Sequence, residues 1–466
     1  MDKTVSSEDM IMNNKKTKIK KEEVFKIESV PKALAVMALP TVFSQVIVLA
    51  YNIADTWFIG RTDNPYMIGA ASLVLALFLS LAALANLFGV GGGNLMVRQM
   101  GSGKMEGAKK TASHSLAMAA VTALCFSLIG LVLMTPLLNL LGASENTLGY
   151  ARQYFIFTVV LGGVPTVLSL SMPMLLRNAG FAKEAGIGVA FGGILNIALD
   201  PLFMFVILPD GYQVLGAALA TFISNVASMI YFIIIFIKYK DRSILILPKK
   251  IEKITQESKK ALYSVGVPAA LILLMFDLVN IVLNKLAASY SDIELAAVGI
   301  VLKVERFPVN IGLGICLGMV PLIAFNYAKK DFKRMDRFFR SAGVAIFSVS
   351  MLSLVVFFFF AKEIINIFIE NTETVRIGAM FLKARCFAAP FMMIGFQVVN
   401  FMQAVGQGKY SFLLSAIRHV ALNIPAMLIF NAIWGLDGLI MAQTVSDIIN
   451  AVISIVVYIK VHKKIT

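Results

Sequence analysis

Twelve long apolar runs constrain what this chain can fold into. Each run holds between 23 and 32 residues, whereas a helix needs about 20 apolar residues to cross a bilayer and a barrel strand about 10. The 466 residues are 58% hydrophobic, which excludes a soluble globular domain. We therefore predict an all-α integral membrane protein with twelve transmembrane helices. The runs are residues 34–59, 67–90, 111–134, 152–175, 185–208, 213–237, 262–286, 294–325, 338–361, 376–402, 410–432 and 438–460.

Lysine and arginine are concentrated on one side of this predicted array. The chain has 42 of these residues against 27 acidic ones, a net charge of +15. Most of them fall in the two tails and in the loops after even-numbered runs, so the positive-inside rule places both termini in the cytoplasm. The surplus is therefore an orientation signal for the cytoplasmic membrane, and nucleic acid is not an expected partner. Residues 1–33 carry no signal-peptide apolar region and are predicted to be a cytoplasmic tail.

The two halves of the chain repeat each other. A shift of 228 residues places Pro40 on Pro268 and Asn52 on Asn280, and later spans match at an offset of 222. Six spans is an even number, so both copies insert in the same direction and form parallel repeats around a central site. The predicted division is a basic tail at 1–33, an N-lobe at 34–237, a linker at 238–261, a C-lobe at 262–460 and a cytoplasmic C-terminus at 461–466.

An aspartate lies inside the fifth apolar run, at Asp200. Insertion scales put the cost of an Asp at a helix centre at about 2.5 to 3.5 kcal/mol, so a retained one is a candidate functional residue. Asn196 lies four residues earlier and shares its helix face, and Pro201 removes the next backbone donor. The alternative is an Asp that hydrogen-bonds a neighbouring helix and braces the bundle.

A second carboxylate in the same half is Asp55, in the first run. Two carboxylates in a low dielectric share a proton or a cation, because both cannot stay ionised and unpaired. Thr221, in the sixth run, could add a hydroxyl. The alternatives are that Asp55 contacts water at the outer membrane surface and that the Thr221 hydroxyl bonds its own helix.

The second half carries Asp277 in the middle of its first run. It does not coincide with Asp55 under the 228-residue shift; Leu283 does. We expect Asp277 to bind substrate cations, or to form an ion pair with Lys303 or Arg306. The predicted substrate-binding set is Asp277, Asn52, Asn280 and Met275. In the eighth run, Lys303, Glu305 and Arg306 are predicted to form an internal ion-pair group that faces the cavity.

Other motifs indicate packing. The glycines of Gly89–Gly93 follow no strand and suit close helix contact, and Gly101–Lys104 lacks the spacing of an ATP-binding loop. The three cysteines and three histidines show no metal-ligand or catalytic spacing, so no enzyme activity, cofactor or ATP site is expected.

Several motifs together resemble the multidrug and toxic compound extrusion (MATE) family, most closely its bacterial MepA-type branch. The resemblance covers the whole chain after the tail. It rests on Leu39-Pro40, Asn52-Ile-Ala-Asp55-Thr-Trp-Phe-Ile-Gly60, Gly101-Ser-Gly-Lys104, Arg177-Asn-Ala-Gly180, Asn196-Ile-Ala-Leu-Asp200-Pro201, Gly216-Ala-Ala-Leu-Ala-Thr221, Pro321-Leu-Ile-Ala-Phe-Asn326 and Gln403-Ala-Val-Gly-Gln-Gly408.

The resemblance implies two six-helix lobes, a central cleft, and drug export against an inflow of H⁺ or Na⁺. The family's N-lobe cation site matches Asp55, Asn196, Asp200 and Thr221, and its second acidic position corresponds only loosely to Asp277.

The resulting prediction is a monomeric antiporter of the cytoplasmic membrane for amphipathic, often cationic drugs and dyes. Its coupling ion is H⁺, narrowly favoured, or Na⁺; in the second case Asp55, Asn196 and Asp200 would be metal ligands. The alternatives are a flippase for a lipid-linked saccharide, which needs a large cavity lined with Arg and Lys, and a membrane receptor or scaffold.

Overall fold

The computed structural model describes residues 21–62, 64–241, 243–248 and 251–466, and this part of the chain is helical. A short 3₁₀ helix, Lys21–Lys26, precedes the long helices. The α-helices are α1 (Val30–Gly60), α2 (Pro65–Gly101), α3 (Met105–Val132), α4 (Met134–Leu140), α5 (Glu145–Phe155), α6 (Gly163–Asn178), α7 (Ala182–Pro201), α8 (Gln213–Tyr239), α9 (Gln256–Ala288), α10 (Asp292–Ala328), α11 (Phe332–Asn366), α12 (Thr372–Cys386), α13 (Ala389–Ala404), α14 (Gly408–Ala416) and α15 (Ile424–Ile465).

Eleven candidate membrane crossings are evident among the described residues. Nine helical stretches are long and apolar enough to span a bilayer, and two bent pairs add one each. The first pair joins α5 to α6 with a bend of 47°, and the second joins α12 to α13 with a bend of 51°.

The twelfth crossing lies within the last stretch, Gly408–Ile465, which has 58 residues. A straight helix of that length would be about 87 Å long, far more than a bilayer of about 30 Å. Arg418 Nε nevertheless lies 2.6 Å from Asp447 Oδ1. The chain must therefore turn back between them, and Gly435, with φ of +59°, marks the turn. The stretch is two antiparallel crossings, and the predicted twelve-helix fold is confirmed.

Both described ends of the chain lie on one side of the bundle, here named the basic face. Phe25 stacks on Phe325 with ring centroids 4.6 Å apart, and the Arg334 guanidinium donates a hydrogen bond to the Ile27 carbonyl. Near the C-terminus, His462 Nε2 lies 2.7 Å from Asp336 Oδ1. The segment before α1, which is the first helix of the N-lobe, therefore packs against helices of the C-lobe.

Glycines bring the two lobes together in the half of the bundle next to the basic face. A methyl group added to Gly91 of α2 would lie 2.6 Å from the Leu262 carbonyl oxygen of α9. One added to Gly314 of α10 would lie 2.6 Å from the Val42 Cα of α1. Backbones this close tolerate only glycine, so the packing role predicted for the glycine cluster is confirmed at Gly91. Each lobe keeps a cavity of its own.

Candidate functional site

The N-lobe contains a cavity of about 850 Å³, including its open mouth. Its walls come from α1, α2, α5, α6, α7 and α8. The polar side chains on these walls are Tyr51, Asn52, Asp55, Tyr154, Ser169, Asn196, Thr221, Ser224, Asn225 and Ser228.

Asp200 is fully buried directly behind this wall. It sits at the end of α7, where Pro201 interrupts the backbone ladder and a π-helical segment, Leu202–Ile207, follows. Asn196 Nδ2 donates a hydrogen bond of 3.4 Å to Asp200 Oδ1, while Oδ2 is buried with no hydrogen-bond partner among the described residues. Because the one observed bond stays within α7, the structure does not show an aspartate that braces a neighbouring helix.

Asp55 reaches the same region from α1. Its side chain is half-buried and lines the cavity, and its Oδ1 has no hydrogen-bond partner among the described residues. Asn196, whose amide donates to Asp200, lines the same cavity as Asp55 and as Tyr154 of α5. The structure therefore brings together the two acids that the sequence analysis paired.

A polar face of α8 completes the wall. Thr221, Ser224, Asn225 and Ser228 follow at spacings of three and four, which places them on one helix face. Asn225 Nδ2 donates to Thr166 Oγ1 at 3.0 Å, so α8 is tied to α6. The sequence analysis selected Thr221 alone, although this spacing could have revealed the others. It also missed Tyr51 and Tyr154, which carry no comparable pattern.

The N-lobe site offers two orphan carboxylate oxygens to a cation. A proton would satisfy them directly, by turning one acceptor into a donor. A sodium ion would need further oxygens, which Asn196 and Thr221 could supply. No group of three or more His, Cys, Asp or Glu side chains that could hold a metal occurs in the described part of the chain. The oxygens present could take up a proton or contact a monovalent cation.

The C-lobe contains a second cavity, of about 460 Å³ with its mouth. Glu305 lies on its wall and is bound by Arg385, with Nη2 to Oε2 at 2.7 Å and Nε to Oε2 at 2.8 Å. Gln443 Nε2 donates to the other carboxylate oxygen at 3.4 Å. Every polar atom of this carboxylate therefore has a partner.

The prediction that Lys303, Glu305 and Arg306 form ion pairs with one another is therefore wrong. Glu305 pairs with Arg385, which the sequence analysis left unassigned, and not with Lys303 or Arg306. Side chains one or two positions apart on a helix do not face each other, so adjacent charges cannot pair in this way. The prediction that the group faces a cavity is confirmed for Glu305 and Arg306.

A second buried ion pair lies behind the same cavity. Arg418 holds Asp447 through Nε–Oδ1 at 2.6 Å and Nη2–Oδ2 at 3.2 Å. Its Nη1 contacts His419 Nε2 at 3.3 Å. The sequence analysis gave His419 no role, and it missed Arg418 and Asp447. Arg418 and Asp447 carry opposite charges inside the last two apolar runs, and this could have indicated that they pair.

The predicted substrate-binding residues are divided between the two cavities. Asn52 lines the N-lobe cavity, and its Nδ2 donates to the Val48 carbonyl at 2.7 Å. Asn280 lines the C-lobe cavity, whereas Met275 is half-buried and lines neither. The side chain of Asp277 lies outside the described residues. The structure therefore does not gather this set at one place.

Two helical lobes with polar cavities define a membrane transporter, and comparisons with known proteins identify its family. The profile of the MatE family matches residues 40–202 and 268–429, so the chain belongs to this family. The two matches begin 228 residues apart, which is the offset of the repeat. Members of the family are transporters and not enzymes.

Similarity extends over nearly the full length of known relatives. The chain is 28% identical over 452 residues to the multidrug export protein MepA of Staphylococcus aureus strain MRSA252, covering 96% of this chain and 98% of the relative. An outward-facing multidrug resistance MATE transporter of the MOP superfamily shares the fold, with a TM-score of 0.90, 20% identity, and coverage of 96% and 99%. A variant of the Vibrio cholerae MATE transporter VcmN has the same fold, with a TM-score of 0.86 and 22% sequence identity. The match covers 94% of this chain and 98% of that transporter.

Proposed function

We propose that this protein is a secondary antiporter that exports amphipathic, often cationic drugs and dyes. The coupling ion is H⁺, with Na⁺ as the alternative, and the ion site comprises Asp55, Asn196, Asp200 and Thr221. The protein acts as a monomer in the cytoplasmic membrane, with both termini in the cytoplasm and without ATP.

One observation carries the proposal. Asp55 lines the N-lobe cavity, Asp200 is bound by Asn196 on the wall of the same cavity, and each acid keeps one buried oxygen without a partner among the described residues. Buried polar groups are normally hydrogen-bonded, and an unpaired one costs about 1 to 3 kcal/mol, so such a pair is a place where a cation would bind. The name of the S. aureus relative supports drugs as the exported substrates.

Coupling requires only that the cation and the drug favour opposite conformations of the two lobes. Such coupling is reciprocal between the sites, so an ion that enters down its gradient can drive a drug out. One elementary charge that crosses 100 mV supplies about 2.3 kcal/mol, enough for more than a tenfold concentration ratio. Nucleotide hydrolysis is not needed.

The experiment is dye efflux from proteoliposomes with imposed gradients. An inward pH gradient in Na⁺-free buffer should drive export of ethidium, and Asp55→Asn should remove that dependence. Export that needs Na⁺ and ignores the pH gradient would overturn the proton assignment but leave the antiporter. No ethidium transport under either gradient would reject drug antiport and favour the flippase alternative.

The orientation can be tested with single cysteines placed in loops of the described chain. A cysteine at Asp210 should react with an impermeant thiol reagent added outside intact cells. Cysteines at Lys253 and Lys333 should react only after the cells are opened. The reverse pattern would invert the proposed topology.

A further inference from the structure

A groove of about 880 Å³, counting its open side, runs along the outside of the C-lobe between α9 and α14. It begins near the basic face at Tyr263 and continues along Val267 and Leu271. These three side chains are 36–40% exposed, although the two lobes are closed against each other in this half of the bundle, so the groove opens toward the lipid. From Tyr263 to Leu271 the helix rises about 12 Å, close to the depth of half a bilayer core of about 30 Å.

The repeat shows why the opening lies in the C-lobe. Under the 228-residue shift, Pro40 of α1 matches Pro268 of α9, and Gly186 of α7 matches Leu414 of α14. A methyl group added to Gly186 would lie 2.6 Å from the Pro40 carbonyl oxygen, so α1 and α7 touch there. Leu414 carries a full side chain at the matching position, which rules out the same backbone contact. The groove lies beside Pro268.

A second difference between the repeats gives the groove a positive charge. Phe181, just before α7, is 2% exposed, and the residue that matches it in the C-lobe is the exposed Lys409. Lys409 lies on the groove wall. Gly408 keeps this lysine beside α9, because a methyl group added to Gly408 would overlap the Ser264 carbonyl oxygen.

Lys260 adds a second positive charge from α9. It is exposed and lies three and four residues before Tyr263 and Ser264, on the helix face that forms the groove wall. Neither Lys260 nor Lys409 has an ion-pair partner among the described residues, and none of the described side chains that line the groove is acidic. Two cations thus flank the end of an apolar groove at the membrane surface, which complements a lipid with an anionic head group.

We infer that this groove binds an anionic phospholipid of the leaflet next to the basic face. The lipid phosphate lies between Lys260 and Lys409. One acyl chain lies along Val267 and Leu271, with Phe412 on the opposite wall. A zwitterionic lipid would meet the same apolar wall but would gain less from the lysines. The site lies outside both lobe cavities and involves no transported substrate, so the inference goes beyond the proposed function.

The test is quenching of a tryptophan in the groove by brominated lipids. The chain has two tryptophans, Trp57 and Trp434. Both are replaced by phenylalanine, and Phe412→Trp then places a single reporter on the groove wall. The purified protein is reconstituted into vesicles of equal phosphatidylglycerol and phosphatidylcholine, in which one lipid or the other carries the bromines. Quenching should show an about tenfold preference of the groove for phosphatidylglycerol, because both lysines attract the anionic head group.

Two pairs of substitutions show where the preference comes from. Lys260→Gln with Lys409→Gln should remove it. Lys110→Gln with Lys333→Gln removes the same charge from exposed positions outside the groove and should leave it unchanged. Leu271→Trp reports from the other wall if Phe412→Trp does not fold.

Equal quenching by the two brominated lipids would overturn the site. A preference that survives the loss of both groove lysines, or that both pairs of substitutions reduce alike, would also overturn it. No drug and no ion gradient enters the measurement, so these outcomes leave the proposed export function standing. Conversely, a failure of dye export would not alter the lipid preference.

Discussion

The two lobes have cavities at equivalent positions, but the charged side chains around the two cavities differ. Asn52 lines the N-lobe cavity, and Asn280, 228 residues later, lines the C-lobe cavity. Phe78 and Arg306 form a second pair at the same spacing, one residue in each cavity. In the N-lobe, Asp55 and Asp200 each keep a buried oxygen for which the described part of the chain offers no partner.

The two acids described at the C-lobe cavity, Glu305 and Asp447, are instead paired with arginines. Arg385 holds Glu305 and Arg418 holds Asp447, each by two hydrogen bonds or contacts of 3.2 Å or less. Among the described residues, the duplicated backbone therefore carries unpaired acids in the N-lobe, which we propose accept a cation, and arginine-paired acids in the C-lobe. The repeat explains the geometry, and the individual side chains determine the chemistry.

The largest effect is expected from removing an unpaired acid. Asp200→Asn should abolish ion-driven dye export while insertion and folding are retained, because no positive partner is left unpaired. Export is measured in proteoliposomes, with Asp210→Asn, in an exposed loop, as the matched control. Normal transport in Asp200→Asn would remove the distinction between the two lobes.

The equivalent change in the C-lobe should affect stability instead. Asp447→Asn leaves the Arg418 guanidinium buried without a counter-charge and should cost about 3–5 kcal/mol of stability. Thermal unfolding of the purified protein measures this loss. Adding Arg418→Gln to Asp447→Asn should recover most of it. A single variant as stable as the parent would show that the pair contributes little.

The smallest effect is expected at Asn196. Asn196→Ala removes an amide that donates to Asp200 at 3.4 Å but changes no charge. A hydrogen bond of this kind contributes about 1 kcal/mol, so the transport rate should fall about fivefold. Initial rates of dye export under one fixed gradient provide the measurement. Complete loss would indicate that the amide is as necessary as the acids.

The sequence predicted the helices and the two-lobe arrangement well, because the lengths of the apolar runs and the repeat can be read along the sequence. The break between the last two runs, predicted after residue 432, lies beside the turn at Gly435. The N-lobe acids could be selected because a charge inside an apolar run is conspicuous. The C-lobe pairs could not be assigned, since Glu305 and Arg385 lie 80 positions apart and only the fold brings them together. Arg385 lies in the last turn of α12 together with Lys383, inside the predicted tenth run, but nothing in the sequence indicates its partner.

The docked segment ahead of α1 has a consequence for how the protein is made. Phe25 and Ile27 leave the ribosome early, whereas the Arg334 that binds Ile27 is synthesised 307 residues later. At about 5–20 residues per second, the delay is about 15–60 s. The N-lobe helices are therefore synthesised before this contact can form. Docking of the segment marks a late step in biogenesis, after at least part of the second lobe has been inserted.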